Sequence, residues 1–530
     1  EIKPDYAEAY SNLGTTLKDQ GRLPEAEACY RRALEIKPDY FEAYDNLLFA
    51  MNYNAGHTAS HCLEEALLFG RMLDRKAGAR FDAWNCAATP ERLRVGVVSG
   101  DLHNHTVGYF LESLLSGIDR SLIELIAYQT DKTSDELTAR IKPYFSSWQR
   151  LSGLDDEAAA GVIHKDGVHI LLDLSGHSGH NRLPVFALKP APVQVSWLGY
   201  LATTGVPAID YVLGDPQATP PEDEINFSET VWRLPDVWCC FTQPDLSLEV
   251  GPLPALSNGY ITFGCFNNLS KMNEDVVALW SRVLRAVPGS RLFLKTRQLK
   301  DSTVCETTRK RFAVHGIESG RLILEGPSAR PELLAAYQRV DIALDPFPYG
   351  GGTTTFEALW MAAPVLTRAG DRFLYRCGQS LACNVGLSGW VAEDDDDYVA
   401  KAVALTADPE RLAVLRAGLR QQALASPLFD TPRFARNFEE ALWGMWRKRC
   451  STQPDAGPAQ PVAPDFRDEN RLAALFKQGD YAEAETLAHK LIECFPRNGF
   501  AWKVLGAALL IQGRGEDALF FEIRISVTRD

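Results

Sequence analysis

Short apolar runs alternate with helical patterns through the middle of the chain. Examples are LRVGVVS at residues 93–99, HILLDL at 169–174 and VDIALD at 340–345. Runs of this kind, separated by helices, are typical of parallel sheets that are covered on both faces. They form two series with a break near residues 243–259. The pattern therefore predicts an α/β fold with two Rossmann-like lobes, whose ligands bind in the loops after the strands.

Both ends of the chain carry a second pattern, with a period of 34 residues. PDYAEAYSNLG begins at Pro4 and PDYFEAYDNLL at Pro38, and the same offset relates the segments around Gly479 and Gly513. This is the tetratricopeptide pattern of paired helices, whose stacked repeats line a concave surface that binds peptides. Because the chain opens on the end of a repeat, we expect a longer array. The predicted order is repeats and connecting helices (1–90), first lobe (91–245), second lobe (246–450), a Pro/Ala-rich linker (451–467) and further repeats (468–530).

Composition narrows the class of partner. The net charge is -14, which argues against nucleic acid or an anionic membrane, because both favour clustered Lys and Arg. No apolar run approaches the roughly 18 residues of a membrane span, and no signal peptide is visible. The 11 cysteines include no CxxC pair, as expected of reduced thiols in the cytoplasm.

The loop DPFPYGGGTTTFEALWM, residues 345–361, is the strongest candidate for chemistry. It follows a predicted strand and opens a predicted helix, where Thr354 and Glu357 have the spacing of a capping box. A well-capped helix after a tight loop is the structural interpretation. The functional one is an anion site, because a helix N-terminus offers free N–H groups and partial positive charge. No Gly-Lys-Ser/Thr follows, so the loop favours a bound nucleoside diphosphate over triphosphate hydrolysis.

Several unusual motifs together give the chain a family resemblance. From Leu93 to about Arg449 it resembles the O-GlcNAc transferase and SPINDLY family of protein O-glycosyltransferases, and the motifs are GDLHNHTVGYF, GVHILLDLSGHSGHNRL, FALKPAPVQVSWLGYLATTG, ALSNGYITFGCFNNLSK and LDPFPYGGGTTTFEALW. The resemblance implies a two-lobed glycosyltransferase B fold and a nucleotide-sugar donor. It further implies inversion at the sugar carbon, Ser/Thr acceptors on proteins that the repeats hold, and no metal or other cofactor.

The same resemblance implies where the donor binds in the second lobe. Lys271 would neutralise the leaving diphosphate, where a fixed cation stabilises charge that develops in the transition state. The other implied nucleotide-sugar-binding positions are Asn268, Arg297, Ser328, Ala329, Arg330, Gly351, Gly352, Thr353, Thr354, Thr355 and Glu357. Of these, Ser328 and Ala329 would read the base through their backbone.

In the first lobe, His105 and His169 match family histidines near the acceptor and the sugar. His105 could accept or orient a proton, with Asp101 orienting its loop, although the donor phosphate is an alternative base. His169 could instead be a core histidine. Thr204 and Gly205 match a loop that approaches the sugar. Histidines cluster in this lobe, but no Cys–His or carboxylate–His spacing supports a metal site.

One position departs from the O-GlcNAc transferase pattern and bears on the donor. That branch carries a histidine just before the two threonines of the phosphate loop, where this sequence has Gly352. SPINDLY proteins, which use GDP-fucose, also lack the histidine, so the sequence favours GDP-fucose over UDP-GlcNAc. Two alternatives are an inactive repeat scaffold and a glycosyltransferase with a non-protein acceptor. Retention of Lys271 and His105 favours the enzyme, and the repeats favour a protein acceptor.

Overall fold

A computed structural model describes residues 6–451, 466–494 and 499–514. The chain divides into two compact units, Glu1–Cys450 and Ser451–Asp530. The predicted Pro/Ala-rich linker and the last residues of the chain lie largely outside the described ranges. No helix within those ranges combines the length and the apolar character that a membrane crossing requires.

The first unit opens with repeat helices. Gly14 lets α1 and α2 approach closely, because a Cβ at this position would lie 2.7 Å from the Tyr30 ring. Ala26 and Tyr30 of α2 are both fully buried. This is the close packing that the tetratricopeptide pattern predicts. The helices are α1 (Ala7–Asp19), α2 (Leu23–Ile36), α3 (Phe41–Met51) and α4 (Ala59–Lys76).

The first lobe is a seven-stranded parallel sheet with strand order β3-β2-β1-β4-β5-β6-β7. Its central strands are buried along their whole length, as expected of a parallel sheet that is covered on both faces. Its elements are β1 (Leu93–Ser99), α5 (Thr106–Gly117), β2 (Ile123–Gln129), α6 (Glu136–Ile141), β3 (Ser147–Arg150), α7 (Asp156–Lys165), β4 (Ile170–Asp173), α8 (Leu183–Ala187), β5 (Val193–Ser196), β6 (Tyr211–Gly214) and β7 (Thr230–Arg233).

The second lobe is a six-stranded parallel sheet with strand order β10-β9-β8-β11-β12-β13. The strand order reverses between β8 and β11, where a ligand crevice is expected in an open α/β sheet. Its elements are α9 (Pro254–Asn258), β8 (Thr262–Cys265), α10 (Glu274–Ala286), β9 (Arg291–Lys295), α11 (Ser302–Val314), β10 (Leu322–Glu325), α12 (Arg330–Ala336), β11 (Ile342–Leu344), α13 (Thr353–Trp360), β12 (Val365–Arg368), α14 (Phe373–Asn384), β13 (Val391–Ala392), α15 (Asp395–Thr406) and α16 (Pro409–Leu424).

The last helix of this unit, α17 (Thr431–Ser451), returns to the first lobe. Phe438 packs against Trp197 with ring centroids 4.8 Å apart, and Trp446 Nε1 donates to the Ala88 carbonyl at 3.1 Å. The helix thus lies in the range predicted for the second lobe but packs on the first. It ties the two lobes together and so helps to fix the crevice between them.

The second unit contains α18 (Phe466–Gln478), α19 (Tyr481–Cys494) and α20 (Gly499–Ile511). Its core is built from small and aliphatic side chains, including the fully buried Leu472, Ala484, Ala488 and Leu505. Gly479 and Gly513 lie in the turns that follow α18 and α20, as the repeat period predicts. The predicted architecture of two Rossmann-like lobes with helical repeats is thereby confirmed.

Candidate active site

Loops from the carboxyl ends of both sheets enclose one cavity of about 350 Å³. The repeat side adds Phe49 of α3 and Tyr53, which follows that helix. From the first lobe come Asp101 and His105 after β1, Ser178 after β4, and Leu198 and Gly199 after β5; from the second come Asn267, Asn268 and Lys271 after β8, and Tyr349, Gly350, Gly352, Thr353 and Thr354 after β11.

Lys271, which the family resemblance assigns to the diphosphate, lines this cavity. Asn268 caps the short turn that carries it, since the Asn268 side chain accepts from the Ser270 N–H at 3.0 Å. Lys271 Nζ donates to the Gly350 carbonyl at 2.7 Å and lies 4.0 Å from the centroid of the Tyr349 ring. Desolvation lowers the pKa of Lys271 to about 8, partly opposed by the charge of Asp345. The lysine therefore links the loop after β8 to the loop between β11 and α13, residues 345–352, which we call the glycine-threonine loop.

The N-terminus of α13 faces the same cavity. Its N-cap is Gly352, which provides no side-chain hydrogen bond, so the predicted capping box of Thr354 and Glu357 is wrong. The threonine side chains are used otherwise: Thr354 Oγ1 donates to Asn267 Oδ1 at 2.9 Å, and Thr355 Oγ1 donates to the Gly351 carbonyl at 3.1 Å. Thr353 Oγ1 is buried and has no hydrogen-bond partner among the described residues, which leaves a polar group for a ligand to satisfy.

Asp345 stabilises the glycine-threonine loop through hydrogen bonds. This role was not identified from the sequence. Its buried carboxylate accepts from the Gly351 N–H at 2.6 Å and from Thr367 Oγ1 at 2.9 Å. Burial raises the pKa of Asp345 to about 6. Asn267 and Tyr349 were also not singled out as site residues, although both lie within motifs that carry the family resemblance.

Glu357 and Arg330, both predicted to bind the nucleotide, pair with each other. Arg330 Nη1 lies 2.9 Å from Glu357 Oε1, and the guanidinium stacks 4.7 Å from the ring of Tyr109 on α5 of the first lobe. Burial raises the pKa of Glu357 to about 6, and the Arg330 charge opposes this shift. The pair therefore connects α13, which carries Glu357, to α12, which carries Arg330. Through the contact with Tyr109 it also connects α12 to the first lobe.

The remaining predicted positions of the second lobe surround this pair or lie away from the cavity. Ala329 is the N-cap of α12, and the neighbouring Ser328 Oγ is buried without a hydrogen-bond partner in the described part of the chain. Arg297 is exposed in the turn after β9 and does not line the cavity. The structure thus does not bring Arg297 together with Lys271.

In the first lobe, His105 and Asp101 form a pair at the cavity wall. His105 precedes α5, and its Nδ1 lies 3.4 Å from Asp101 Oδ1 and 3.4 Å from the Val107 backbone nitrogen. Desolvation lowers the pKa of His105 and raises the pKa of Asp101. The imidazole is therefore neutral near pH 7 and has the state that a proton acceptor requires.

His169 lies at the amino end of β4, opposite the edge where the cavity opens. Its Nδ1 accepts from the Arg94 N–H at 3.0 Å, and its ring packs edge-on against Trp446 at 4.8 Å. The structure thus makes it a core histidine and does not place it at the candidate site. Parallel strands present their ligands at the carboxyl end, so the strand position itself explains the difference.

Thr204 and Gly205 also lie outside the cavity, contrary to the expectation that their loop approaches the sugar. The Thr204 N–H donates to the buried Glu229 carboxylate at 2.7 Å, and the backbone of Gly205 packs against α4 at Ala66. This loop joins the repeat helices to the first lobe. Leu198 and Gly199, a few residues earlier, reach the cavity in its place.

Among the residues that the structure describes, no group of three or more His, Cys, Asp or Glu side chains is arranged to hold a metal ion. The side chains around the cavity offer one lysine, one histidine–aspartate pair and several hydroxyl and amide groups. This set suits an anionic ligand and a proton transfer.

The comparisons with known proteins agree with this geometry. Residues 49–241 and 253–438 match the model of glycosyl transferase family 41. The chain belongs to glycosyl transferase family 41. Tetratricopeptide models match residues 7–40 and 473–522, so this member of the family carries repeats on both sides of its catalytic-type region.

The chain has a higher sequence identity to SPINDLY relatives than to a SEC relative. A SPINDLY protein of Solanum lycopersicum, named a probable UDP-N-acetylglucosamine–peptide N-acetylglucosaminyltransferase, is 38% identical over 76% of this chain. The corresponding SEC protein of Arabidopsis thaliana is 30% identical over 68% of this chain. The chain spans 44% of the length of the tomato protein.

A solved structure confirms the fold. A mutant of the Thermobaculum terrenum O-GlcNAc transferase superposes with a TM-score of 0.80 at 36% identity, covering 85% of this chain and 86% of that one. The two-lobed glycosyltransferase B fold that the resemblance implied is therefore confirmed.

Proposed function

We propose that this protein is an inverting O-glycosyltransferase that moves a sugar from a nucleoside diphosphate to Ser or Thr hydroxyls of proteins. The observation that carries the proposal is the convergence of Lys271, the N-terminus of α13 and the Thr353 hydroxyl on one cavity. In the proposed mechanism the diphosphate leaves toward these groups. A cation and a helix N-terminus stabilise the charge that it gains as the glycosidic bond breaks.

The acceptor hydroxyl must lose its proton as it attacks the sugar carbon from the opposite face. His105, kept neutral by desolvation and lying 3.4 Å from Asp101 Oδ1, is our proposed acceptor of that proton. The donor phosphate is the alternative base. Nucleophilic attack and departure of the diphosphate on opposite faces give inversion at the sugar carbon.

A screen of nucleotide sugars tests the proposed activity. The purified 530-residue chain is incubated with each donor and an acceptor protein, and release of nucleoside diphosphate and labelling of Ser/Thr are measured. Release with labelling supports the proposal. Release to small acceptors alone would favour a non-protein acceptor, and no release with any donor would favour an inactive repeat scaffold.

For the donor we propose GDP-fucose. The support is Gly352, which replaces a histidine of the O-GlcNAc transferase branch, together with the higher identity to the SPINDLY relative than to the SEC relative. UDP-GlcNAc is the second candidate. It is favoured by the names of these relatives and by the 36% identical structure, which is that of an O-GlcNAc transferase.

Calorimetry with the two nucleotides distinguishes these donors. We expect GDP to bind about tenfold more tightly than UDP, a difference of roughly 1.4 kcal/mol, which one or two additional base-edge hydrogen bonds can supply. UDP binding that equals or exceeds GDP binding would assign UDP-GlcNAc as the donor and leave the family and fold unchanged.

A further prediction concerns metal dependence. If Lys271 and the start of α13 neutralise the diphosphate, a divalent cation is not needed. Transfer should therefore be unchanged after dialysis against EDTA, measured as sugar incorporated into acceptor. Loss of activity that Mg²⁺ or Mn²⁺ restores would contradict this mechanism.

We further propose that the acceptor reaches the cavity along the repeats. A second groove lies between α3 and the loop that follows β4, and Ser178 lines both this groove and the cavity. An extended polypeptide in the groove could thus present a hydroxyl to the sugar. The experiment is crosslinking of an acceptor peptide that carries a photoreactive residue beside its Ser, with α3 as the expected site.

A further inference from the structure

Three aromatic side chains connect the repeat helices to the lysine in the cavity. Tyr53, which follows α3, lies 4.8 Å from Tyr349 of the glycine-threonine loop, measured between ring centroids. Phe49 of α3 lies 5.6 Å from Tyr53 and 6.2 Å from Tyr349. All three side chains line the cavity. We call Phe49, Tyr53 and Tyr349 the aromatic support.

The ammonium of Lys271 lies against this support. Its Nζ is 4.0 Å from the Tyr349 ring centroid, inside the range of a cation–π interaction. The same Nζ donates to the carbonyl of Gly350, the residue after Tyr349. Ring and carbonyl together fix the ammonium from two directions, and the ring is itself held by Phe49 and Tyr53.

The repeat side is tied to this loop by more than ring contacts. Asn273 Nδ2 donates to the Phe347 carbonyl at 2.9 Å and to the Tyr53 carbonyl at 3.3 Å. Lys18 Nζ of α1 lies 5.4 Å from the centroid of the Phe49 ring and 5.8 Å from that of Tyr53. A shift of α1 or α3 would therefore be transmitted to Tyr349.

We propose that Phe49, Tyr53 and Tyr349 are positioning residues, through which the repeat helices hold the Lys271 ammonium in its charged, catalytically oriented state. The inference deepens the proposed function and rests on it, because Lys271 is given the task of meeting the diphosphate there. It assigns the repeats a part in the chemistry of the cavity, in addition to acceptor binding.

Other groups also influence the charge of Lys271 and must be separated from the ring. Asp345 favours the ammonium form, whereas desolvation opposes it. The thiols of Cys265 and Cys377 lie nearby, and burial raises the pKa of both, so they are uncharged at neutral pH. A substitution at Tyr349 leaves Asp345 and both thiols in place, and so it tests the ring alone.

The test compares Tyr349→Leu with Tyr349→Phe in the full chain. Leucine keeps the site apolar but removes the ring face, whereas phenylalanine keeps the ring. With [13Cε]lysine labelling and the Lys271→Met spectrum for assignment, NMR gives the titration midpoint of Lys271 without any nucleotide. We expect a midpoint near pH 8 in the unsubstituted protein. It should be about one unit lower in Tyr349→Leu, equivalent to roughly 1.4 kcal/mol and within the range of cation–π energies.

The sign follows from the chemistry. The ring favours the charged form, so its removal lets Lys271 lose its proton at lower pH. Tyr349→Phe should titrate as the unsubstituted protein does, and Tyr53→Leu should shift the midpoint in the same direction by a smaller amount. Equal midpoints in Tyr349→Leu and Tyr349→Phe would overturn the inference.

Nucleotide binding then separates the two proposals. Calorimetry with GDP and UDP should show Tyr349→Leu binding about tenfold more weakly than Tyr349→Phe above about pH 8.5 and nearly equally below about pH 6.5. A loss that is the same at every pH would indicate a purely structural role and contradict the inference. If neither nucleotide binds the unsubstituted protein, the proposed function fails, while the NMR midpoints still decide the role of the ring.

Discussion

Replacing Lys271 with alanine is expected to lower kcat by about 100-fold or more, the scale on which loss of one preorganised stabilising group acts. The charge on the diphosphate increases as the glycosidic bond breaks, so the ammonium contributes more in the transition state than in the bound donor. The donor Kd should therefore rise much less than kcat falls. Single-turnover rates and calorimetry with the same donor separate the two effects.

The control for this substitution is Lys310→Ala. Lys310 lies on α11 of the same lobe, is 72% exposed and pairs with Glu306, which is also exposed. Its removal changes the net charge equally but should leave kcat unchanged. A Lys271→Ala protein that transfers sugar at the normal rate would show that the diphosphate leaves toward another group.

The sequence pattern identified the central strands of both sheets but missed β3, β7 and β13. All three are edge strands in the observed order, and none is a continuous buried run. An edge strand packs against one neighbour only, so its sequence need not be apolar throughout. The run of buried residues that identifies β4 or β11 is therefore absent where a sheet ends.

The candidate site was predictable to a similar extent. The threonine loop was identified because it directly follows a strand, and strand ends in a parallel sheet face the ligand, whereas Lys271 and Asn268 were identified through the family resemblance. His169 was misplaced because a motif match does not state at which end of a strand a residue lies. Phe49 and Tyr53 could not be found at all, since they look like ordinary repeat residues until the fold places α3 beside the cavity.

Thr204 and Gly205 are a second case in which a motif match did not show where a residue lies in the fold. Both residues match the LATTG motif of the family resemblance, yet their loop packs against α4 and they do not line the cavity. A Cβ on Gly205 would lie 2.0 Å from the Ala66 carbonyl oxygen, and a Cβ on Gly70 would lie 1.8 Å from the Gly205 carbonyl oxygen. Gly70 and Gly205 thus allow the backbone of α4 to contact the backbone of the loop. The glycine of the motif is therefore required for this packing.

This close backbone contact predicts a large loss of stability when Gly205 is substituted. Gly205→Ala should lower the free energy of unfolding by about 3 kcal/mol or more. Left-handed backbone at φ +70 costs a non-glycine residue about 1–2 kcal/mol, and overpacking adds about 1–3 kcal/mol. Because the obstructing atom belongs to the backbone of α4, no side-chain rotation can relieve the contact. Urea unfolding followed by tryptophan fluorescence gives the change.

Gly259→Ala is the matched control, because Gly259 has φ +72 but no described atom lies within 4 Å of the place that a Cβ would take. It should cost only the backbone strain, about 1–2 kcal/mol, so the two variants should differ by about 2 kcal/mol. Equal stability of the two variants would mean that α4 can shift without cost. If Gly205→Ala then lost sugar transfer while remaining folded, the loop would act at the sugar as its motif predicted, and the contact with α4 would be secondary.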